Sequence, residues 1–121
     1  MFHLSLPVQK FEACLAFYRE CFGAEVQMLS AEAANLFVFG GQVTFHNRPD
    51  SALSDEARHT MHFGQVVAPD EWLQLRDRII AAGHSPMRAV AASVAANRRA
   101  KLVVADPSGN LIEINSTALD G

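Results

Sequence analysis

The chain has few of the features that mark a membrane protein or a nucleic-acid-binding protein. No stretch of the 121 residues approaches the run of ~20 apolar residues that a membrane helix needs. Basic residues are also scarce, because ten Lys and Arg stand against thirteen Asp and Glu, which gives a formal net charge of -3 at pH 7. A chain of this charge has no basic field to attract a nucleic-acid backbone. We therefore expect neither a membrane nor nucleic acid as a partner.

Cysteine is nearly absent as well. Cys14 and Cys21 are seven positions apart on a predicted helix, which separates them by roughly 10.5 Å along the axis, beyond the reach of a disulfide. The N-terminus lacks the basic start and long apolar run of a signal peptide. These observations predict a cytoplasmic protein with two reduced thiols.

The residues that are present predict one compact domain built from an internal repeat. Half of the chain is hydrophobic and 19% is charged, which is typical of a globular protein with an ordinary core. Alternating strand patterns, helical periodicity and Gly or Pro turn signals recur in the order βαβββ, once in residues 1–47 and again in residues 60–117. We interpret residues 1–121 as a single domain of two βαβββ modules, joined by a polar loop at 48–59.

Equivalent positions of this repeat carry histidine. His3 opens the first strand of the first module and is followed after twenty residues by Gly23, which ends a helix. His62 opens the first strand of the second module and is followed after twenty-one residues by Gly83. A single histidine in a strand is more often structural than functional, but two at equivalent positions of a repeat favour a shared site.

The last strand of each module also carries polar residues on one face. Glu113 lies between Ile112 and Ile114, so it points away from the face that buries the isoleucines, toward either water or a cavity. In the first module the residues that alternate in this way are Gln42, Thr44 and His46. Two packed half-sheets would bring these faces around one concavity.

Two histidines and one carboxylate on such a concave surface can hold a divalent metal ion with open coordination positions. We therefore take His3, His62 and Glu113 as candidate metal ligands. His46 is a candidate general acid or base, because the ordinary pKa of histidine, ~6.5, suits proton transfer near neutral pH. The alternative, a solvated histidine at the end of a strand, has about equal weight.

Three segments resemble the vicinal-oxygen-chelate superfamily, which includes glyoxalase I, fosfomycin-resistance thiol transferases, extradiol dioxygenases and bleomycin-binding proteins. The segments are "FHLSLPV…FYRECFGAEV", "MHFGQVV" and "DPSGNLIEIN". The resemblance implies an α+β fold in which two paired βαβββ modules form a cupped mixed sheet with helices outside. It places His3, His62 and Glu113 at the positions of the family's metal ligands.

The fourth ligand position of the family, a glutamate in bacterial glyoxalase I, falls nearest Thr44, with His46 one step further along the same face. A set of two histidines and one glutamate without that fourth ligand resembles the extradiol dioxygenases and the fosfomycin enzymes instead. The resemblance thus leaves the reaction open among isomerisation, ring cleavage and thiol addition.

From these features we expect an enzyme that uses a divalent metal ion (Fe, Mn, Ni or Zn). It would act on a small substrate chelated through vicinal oxygens, as a dioxygenase or as a glyoxalase-type lyase or isomerase, with His46 moving the proton. Members of the family often dimerise, so a homodimer is expected, and the modules could pair within one chain or across two chains. The alternative is a metal-free protein of the bleomycin-resistance type that uses the cup as a hydrophobic pocket.

Overall fold

The computed structural model describes residues 1–58 and 60–117 of the chain. His59, in the predicted connecting loop, and residues 118–121, at the end of the predicted domain, lie outside the described residues. The eight strands are β1 His3–Val8, β2 Glu25–Ser30, β3 Ala33–Val38, β4 Gly41–Asn47, β5 His62–Val67, β6 Arg88–Val90, β7 Lys101–Ala105 and β8 Leu111–Ser116. The three α-helices are α1 Phe11–Phe22, α2 Asp55–Arg58 and α3 Pro69–Ala81.

The strands form two four-stranded mixed sheets with the same topology. The first sheet has the order β1-β4-β3-β2, and the second has the order β5-β8-β7-β6. In each sheet the first strand of the module pairs in parallel with the last strand, and the remaining pairs are antiparallel. The predicted α+β fold with a repeated βαβββ unit is confirmed. The second strand of the second module, where the sequence is Ala-rich and weakly patterned, is only three residues long.

One face of each sheet packs into the core and the opposite face carries the polar residues. In β8, Ile112 and Ile114 are fully buried, whereas Glu113 between them is half-buried on the other face. In β4, Val43 and Phe45 are buried on the core face, and Thr44 between them is buried on the opposite face. Alternation between the two faces follows from the two-residue period of a strand, and it confirms the predicted side-chain directions.

The two helices that follow β1 and β5 cover the core faces and contact each other. Helix α1 ends at Gly23, whose φ of 67° lies in the left-handed region that glycine adopts without strain. The helical spacing that predicts α1 and α3 also places Tyr18 and Trp72 toward the core, and both are fully buried. Cys14 and Cys21 are buried and form no disulfide, as expected. No described helix has both the length and the apolar character required to cross a membrane.

Hydrogen bonds from Tyr18 and Gln9 tie the first module to the turn between β7 and β8. The Tyr18 hydroxyl donates to Oδ2 of Asp106 over 2.7 Å, and the backbone N–H of Gln9 donates to Oγ of Ser108 over 3.1 Å. Asp106 also accepts from the backbone N–H of Asn110 over 2.9 Å. The Asp-Pro-Ser-Gly-Asn turn is therefore held from both modules. The connecting segment, predicted as a loop, contains a short 3₁₀ helix, Pro49–Ser51, and helix α2.

Candidate functional site

The polar face of the second sheet brings together two of the three predicted metal ligands. His62 is the first residue of β5, and Glu113 lies two positions further along the neighbouring parallel strand, paired with Gly64. Partners in adjacent strands project to the same face. The imidazole Nε2 of His62 lies 3.0 Å from Oε2 of Glu113, and the two side chains are 48% and 16% exposed.

The other ring nitrogen of His62 fixes which proton the imidazole carries. Nδ1 lies 3.0 Å from the backbone carbonyl oxygen of Thr60. A carbonyl only accepts hydrogen bonds, so Nδ1 must be the donor, and the lone pair of a neutral ring is then on Nε2. That lone pair faces a carboxylate oxygen of Glu113, and two acceptors at this distance require a cation between or beside them. Either a second ring proton or a metal ion satisfies this requirement.

Glu113 is held as a carboxylate by its neighbours. Partial burial alone would raise its pKa, but a hydrogen bond from Lys101, the charge of His62, the charge of Lys101 and a hydrogen bond from Asn115 together lower the pKa below its ordinary value. Nζ of Lys101 lies 3.2 Å from Oε1, the oxygen that does not face His62. The carboxylate therefore bridges an imidazole and an ammonium group.

Three features of the surrounding fold set the position of Glu113. The indole N–H of Trp72 donates to the carbonyl oxygen of Ile114 over 2.9 Å, which fixes β8 against helix α3. The turn that Asp106 organises precedes β8 and sets where the strand begins. Gly64 lies directly against the backbone of Glu113, where a side chain would overlap the carbonyl group.

The donor set of this face suits a divalent metal ion. Two ligand atoms bound at ~2.1 Å and at right angles are about 3 Å apart, which matches the 3.0 Å between Nε2 of His62 and Oε2 of Glu113. The bond from Nδ1 of His62 to a carbonyl is the outer contact that orients metal-binding histidines. Imidazole and carboxylate are ligands for Zn, Fe, Mn and Ni. His62 and Glu113 therefore suit two adjacent ligand positions of such an ion, although Lys101 would have to release Oε1 if the carboxylate bound through both oxygens.

His3 lies on the other sheet and does not join this pair. It is exposed at the start of β1, where it pairs with Gln42 of β4. Within residues 1–58 and 60–117, no three His, Cys, Asp or Glu residues are grouped closely enough to hold a metal ion. One chain thus supplies His62 and Glu113 together and His3 separately.

The polar face of the first sheet forms its own hydrogen-bonded row. Thr44, which the sequence places nearest the fourth ligand position, is buried, and its hydroxyl donates to Oδ1 of Asn35 over 2.7 Å. Nε2 of His46 lies 3.1 Å from Oγ of Ser5. His46 is four residues beyond Gln42, the partner of His3, which corresponds to roughly 13 Å along the strand.

Several residues around Glu113 have roles that no sequence pattern indicates. Lys101 belongs to a short basic stretch at 97–101, and only the pairing of β7 with β8 places its side chain on Glu113. Gly64 is different, because a glycine inside a strand pattern is a sign of close backbone approach. That sign was available in the sequence.

An apolar pocket of about 330 Å³ lies between the exposed edges of the two sheets. Its walls come from β1 and from the segment that leads into β5, and His62 is on its rim. The apolar lining residues are Phe2, Leu4, Leu6, Leu53, Met61, Phe63 and Leu111.

Comparison with known proteins gives a family and a fold. Residues 1–114 match the model of the Glyoxalase/Bleomycin resistance protein/Dioxygenase superfamily. A search of curated proteins finds no significant match.

Three solved structures illustrate the similarity. The fosfomycin resistance protein FosX from Listeria monocytogenes is 18% identical, with a TM-score of 0.76 over 98% of this chain and 93% of that chain. A glyoxalase/bleomycin resistance protein/dioxygenase from Alicyclobacillus acidocaldarius is 21% identical, with a TM-score of 0.73 over 96% and 89%. Lactoylglutathione lyase from Agrobacterium tumefaciens is 18% identical, with a TM-score of 0.72 over 97% and 92%. At these identities the similarity establishes the fold alone. A mutant of FosX has been solved in complex with Mn(II) and 1S,2S-dihydroxypropylphosphonic acid.

Proposed function

Because this chain belongs to the Glyoxalase/Bleomycin resistance protein/Dioxygenase superfamily, we propose that it is an enzyme that uses a divalent metal ion to act on a small substrate bound through vicinal oxygens. The observation that carries the proposal is the contact between His62 and Glu113, whose donor atoms are 3.0 Å apart with the other ring nitrogen bonded to a carbonyl. A divalent ion bound there would supply Lewis-acid polarisation of the substrate oxygens.

The chain's own residues would bind and orient the substrate around this pair. Asn115 and Lys101 border Glu113 on the same face, so they can donate hydrogen bonds to substrate oxygens. His46 is the proposed proton-transfer group. Because it lies at the far end of β4, it would serve a substrate that extends along the first sheet rather than one confined to the metal ligands.

We propose that His3, the third ligand, comes from a second copy of the chain. Among the described residues, β1 and β5 are each at an edge of their sheet, so one side of each strand has no neighbouring strand in its sheet. The apolar side chains Phe2, Met61 and Val66 are exposed on or beside these edges. In the proposed homodimer these residues are covered, and the polar face of the first sheet of one copy lies opposite that of the second sheet of the other, so that His3 faces His62 and Glu113.

Metal titration tests the ligand assignment. We expect the wild-type protein to bind about one Mn(II) or Fe(II) per chain, and His62→Gln and Glu113→Gln to lose at least tenfold in affinity. Glu12→Gln removes an exposed carboxylate in the first turn of α1 and is the matched control, expected to bind as the wild type does. Equal binding by Glu113→Gln and Glu12→Gln would refute the assignment.

Mixing two inactive variants tests whether the site spans two chains. His3→Gln and Glu113→Gln should each bind metal poorly alone. If chains exchange after unfolding and refolding together, a mixed dimer contains one site with His3, His62 and Glu113 all intact. Metal binding should therefore recover to about half a site per mixed-dimer chain. No recovery in a verified mixed dimer would contradict the cross-chain site.

The second candidate function is that of a metal-free protein that binds an apolar small molecule. The pocket of about 330 Å³ between β1 and β5 favours it, because its lining is mostly aliphatic and aromatic. A folded wild-type protein that binds no divalent metal but takes up an apolar fluorescent probe, with Phe63→Ala weakening that uptake, would establish this function in place of the enzyme.

A further inference from the structure

A second pocket, of about 300 Å³, opens on the polar face of the second sheet beside Glu113. Four of its lining residues are cations: Arg88, Arg98, Arg99 and Lys101. The whole chain has only ten Lys and Arg and a formal charge of -3. Two-fifths of its basic side chains therefore converge on one pocket of an acidic protein, which creates a local positive field.

Most of this positive charge has no acidic partner in the described part of the chain. Within the described residues, Lys101 is the only one of the four that forms an ion pair, and its partner is Glu113. Arg98 uses its Nε–H on the carbonyl oxygen of Ala91, over 3.2 Å, which positions the side chain and leaves the terminal nitrogens for another acceptor. Asn115 also lines the pocket, and its Oδ1 is a buried acceptor without a hydrogen-bond donor in the described part of the chain.

The strand register places the cations at a useful distance from the proposed metal ligands. Arg88 pairs with Val103, and Val103 pairs with Glu113, so all three side chains point to one face along a single row. Two interstrand spacings of ~4.8 Å separate the backbones of Arg88 and Glu113 by about 10 Å. A molecule of a few carbon atoms can span the space between an arginine side chain reaching in from one end and a group bound at Glu113.

We propose that this pocket binds the anionic group of the substrate, so that the substrate class is a small organic oxyanion carrying hydroxyl or carbonyl oxygens. Guanidinium groups bind carboxylate, phosphate and phosphonate alike, through paired hydrogen bonds. This inference rests on the proposed function, because it names the substrate of that site, but the pocket itself can be tested without metal or turnover.

Binding of simple anions to metal-free protein provides the test. Titrations with inorganic phosphate and with glycerate, at an ionic strength held constant with sodium chloride, would be followed by amide chemical shifts. We expect saturable binding of at least one of the two, with shifts concentrated at residues 88–101 and 113–115. The preferred probe identifies a tetrahedral or a planar anionic group.

Two double variants make the result specific. Arg88→Gln/Arg98→Gln should weaken binding by about tenfold or more, because each arginine supplies charge-assisted hydrogen bonds. Arg19→Gln/Arg76→Gln removes the same charge from helices α1 and α3 and should bind as the wild type does. Equal weakening in both double variants, or shifts that never saturate, would overturn the proposal.

The outcome is separable from that of the proposed metal site. Arg88→Gln/Arg98→Gln should retain the Mn(II) affinity of the wild type, and Glu113→Gln should lose Mn(II) while still binding the anion. Failure of the wild-type protein to bind Mn(II) would refute the metal site alone. Failure to bind both phosphate and glycerate would refute the anion pocket alone.

Discussion

Gly64 of β5 lies beside the backbone of its partner Glu113 in the parallel strand β8. Replacing Gly64 with alanine tests how closely β5 and β8 must approach. A Cβ at position 64 would be 2.9 Å from the carbonyl carbon of Glu113 and would overlap its carbonyl oxygen. Carbon atoms in contact prefer ~3.5–4.0 Å, so this contact alone would part the strands by roughly 0.6–1.1 Å. The obstacle is backbone, so no side-chain rotation can relieve it.

Two effects of Gly64→Ala should follow from that displacement. Overpacking against a rigid neighbour costs about 1–3 kcal/mol, and we expect a value toward the upper end in the free energy of unfolding measured in urea. The gap between His62 and Glu113, now 3.0 Å, should widen, because the two residues lie on the strands that part. Mn(II) affinity should then fall about 10- to 100-fold.

Gly40→Ala is the matched control for general destabilisation. Gly40 has a φ of 71° and open space around the position of a Cβ, so alanine there costs about 1–2 kcal/mol through backbone strain alone. We expect Gly40→Ala to lose stability but to keep its Mn(II) affinity. A folded Gly64→Ala protein whose Mn(II) affinity is within twofold of the wild type would refute the argument that this close approach positions the ligands.

Three further predictions concern the core. Burial raises the pKa of Asp106, and the hydrogen bond from Tyr18 opposes that rise. Tyr18→Phe should therefore lower the free energy of unfolding by about 1–3 kcal/mol at pH 7 and by less at pH 3, because a protonated carboxyl depends less on the donor. Urea unfolding at both pH values measures the difference. Arg58 is 6% exposed, and its Nε and Nη1 have no hydrogen-bond partner among the described residues. Arg58→Met should therefore leave the free energy of unfolding unchanged or raise it by about 1–3 kcal/mol. A clear loss of stability would indicate an acceptor outside the chain. Burial raises the pKa of Cys14 to about 12 and that of Cys21 to about 11. Neither thiol should therefore react with a disulfide reagent at pH 8 until the protein unfolds. Rapid labelling of the native protein would contradict this prediction.

The fold was predictable because its signals are local and occur twice. Alternation in β1, β4, β5 and β8 and the helical spacing in α1 and α3 each identify an element on their own. The repeat then relates elements that are distant in sequence. Where one copy of the pattern was weak, as at β6, the other copy supplied the expectation, and the short strand Arg88–Val90 lies where the first module implies it.

The surroundings of Glu113 were less predictable, because they depend on register rather than on pattern. A shift of one residue in the pairing of β7 with β8 would turn Lys101 to the opposite face, and nothing in the segment that precedes β7 specifies that pairing in the sequence. The same holds for Arg98 and Arg99, which lie between strands and reach the pocket only through the fold. Side chains that act across a sheet are thus the ones that sequence reasoning misses.

The two modules are alike in topology but not in chemistry, and the difference supports a site that draws on both. Strand register makes His3 equivalent to His62, Ser5 to Gly64, and Thr44 to Glu113. The first module therefore repeats the histidine but lacks both the carboxylate and the glycine that lets the paired strand approach.

A divalent ion bound at the second module would meet one imidazole and one carboxylate there, and the first module can add only an imidazole. If both modules bound metal independently, the first would need an acid where Thr44 donates its hydroxyl to Asn35. The sequence difference at this one pair of equivalent positions thus favours one metal site for each pair of facing sheets. The expected stoichiometry is one ion per chain in a homodimer, and two ions per chain would contradict it.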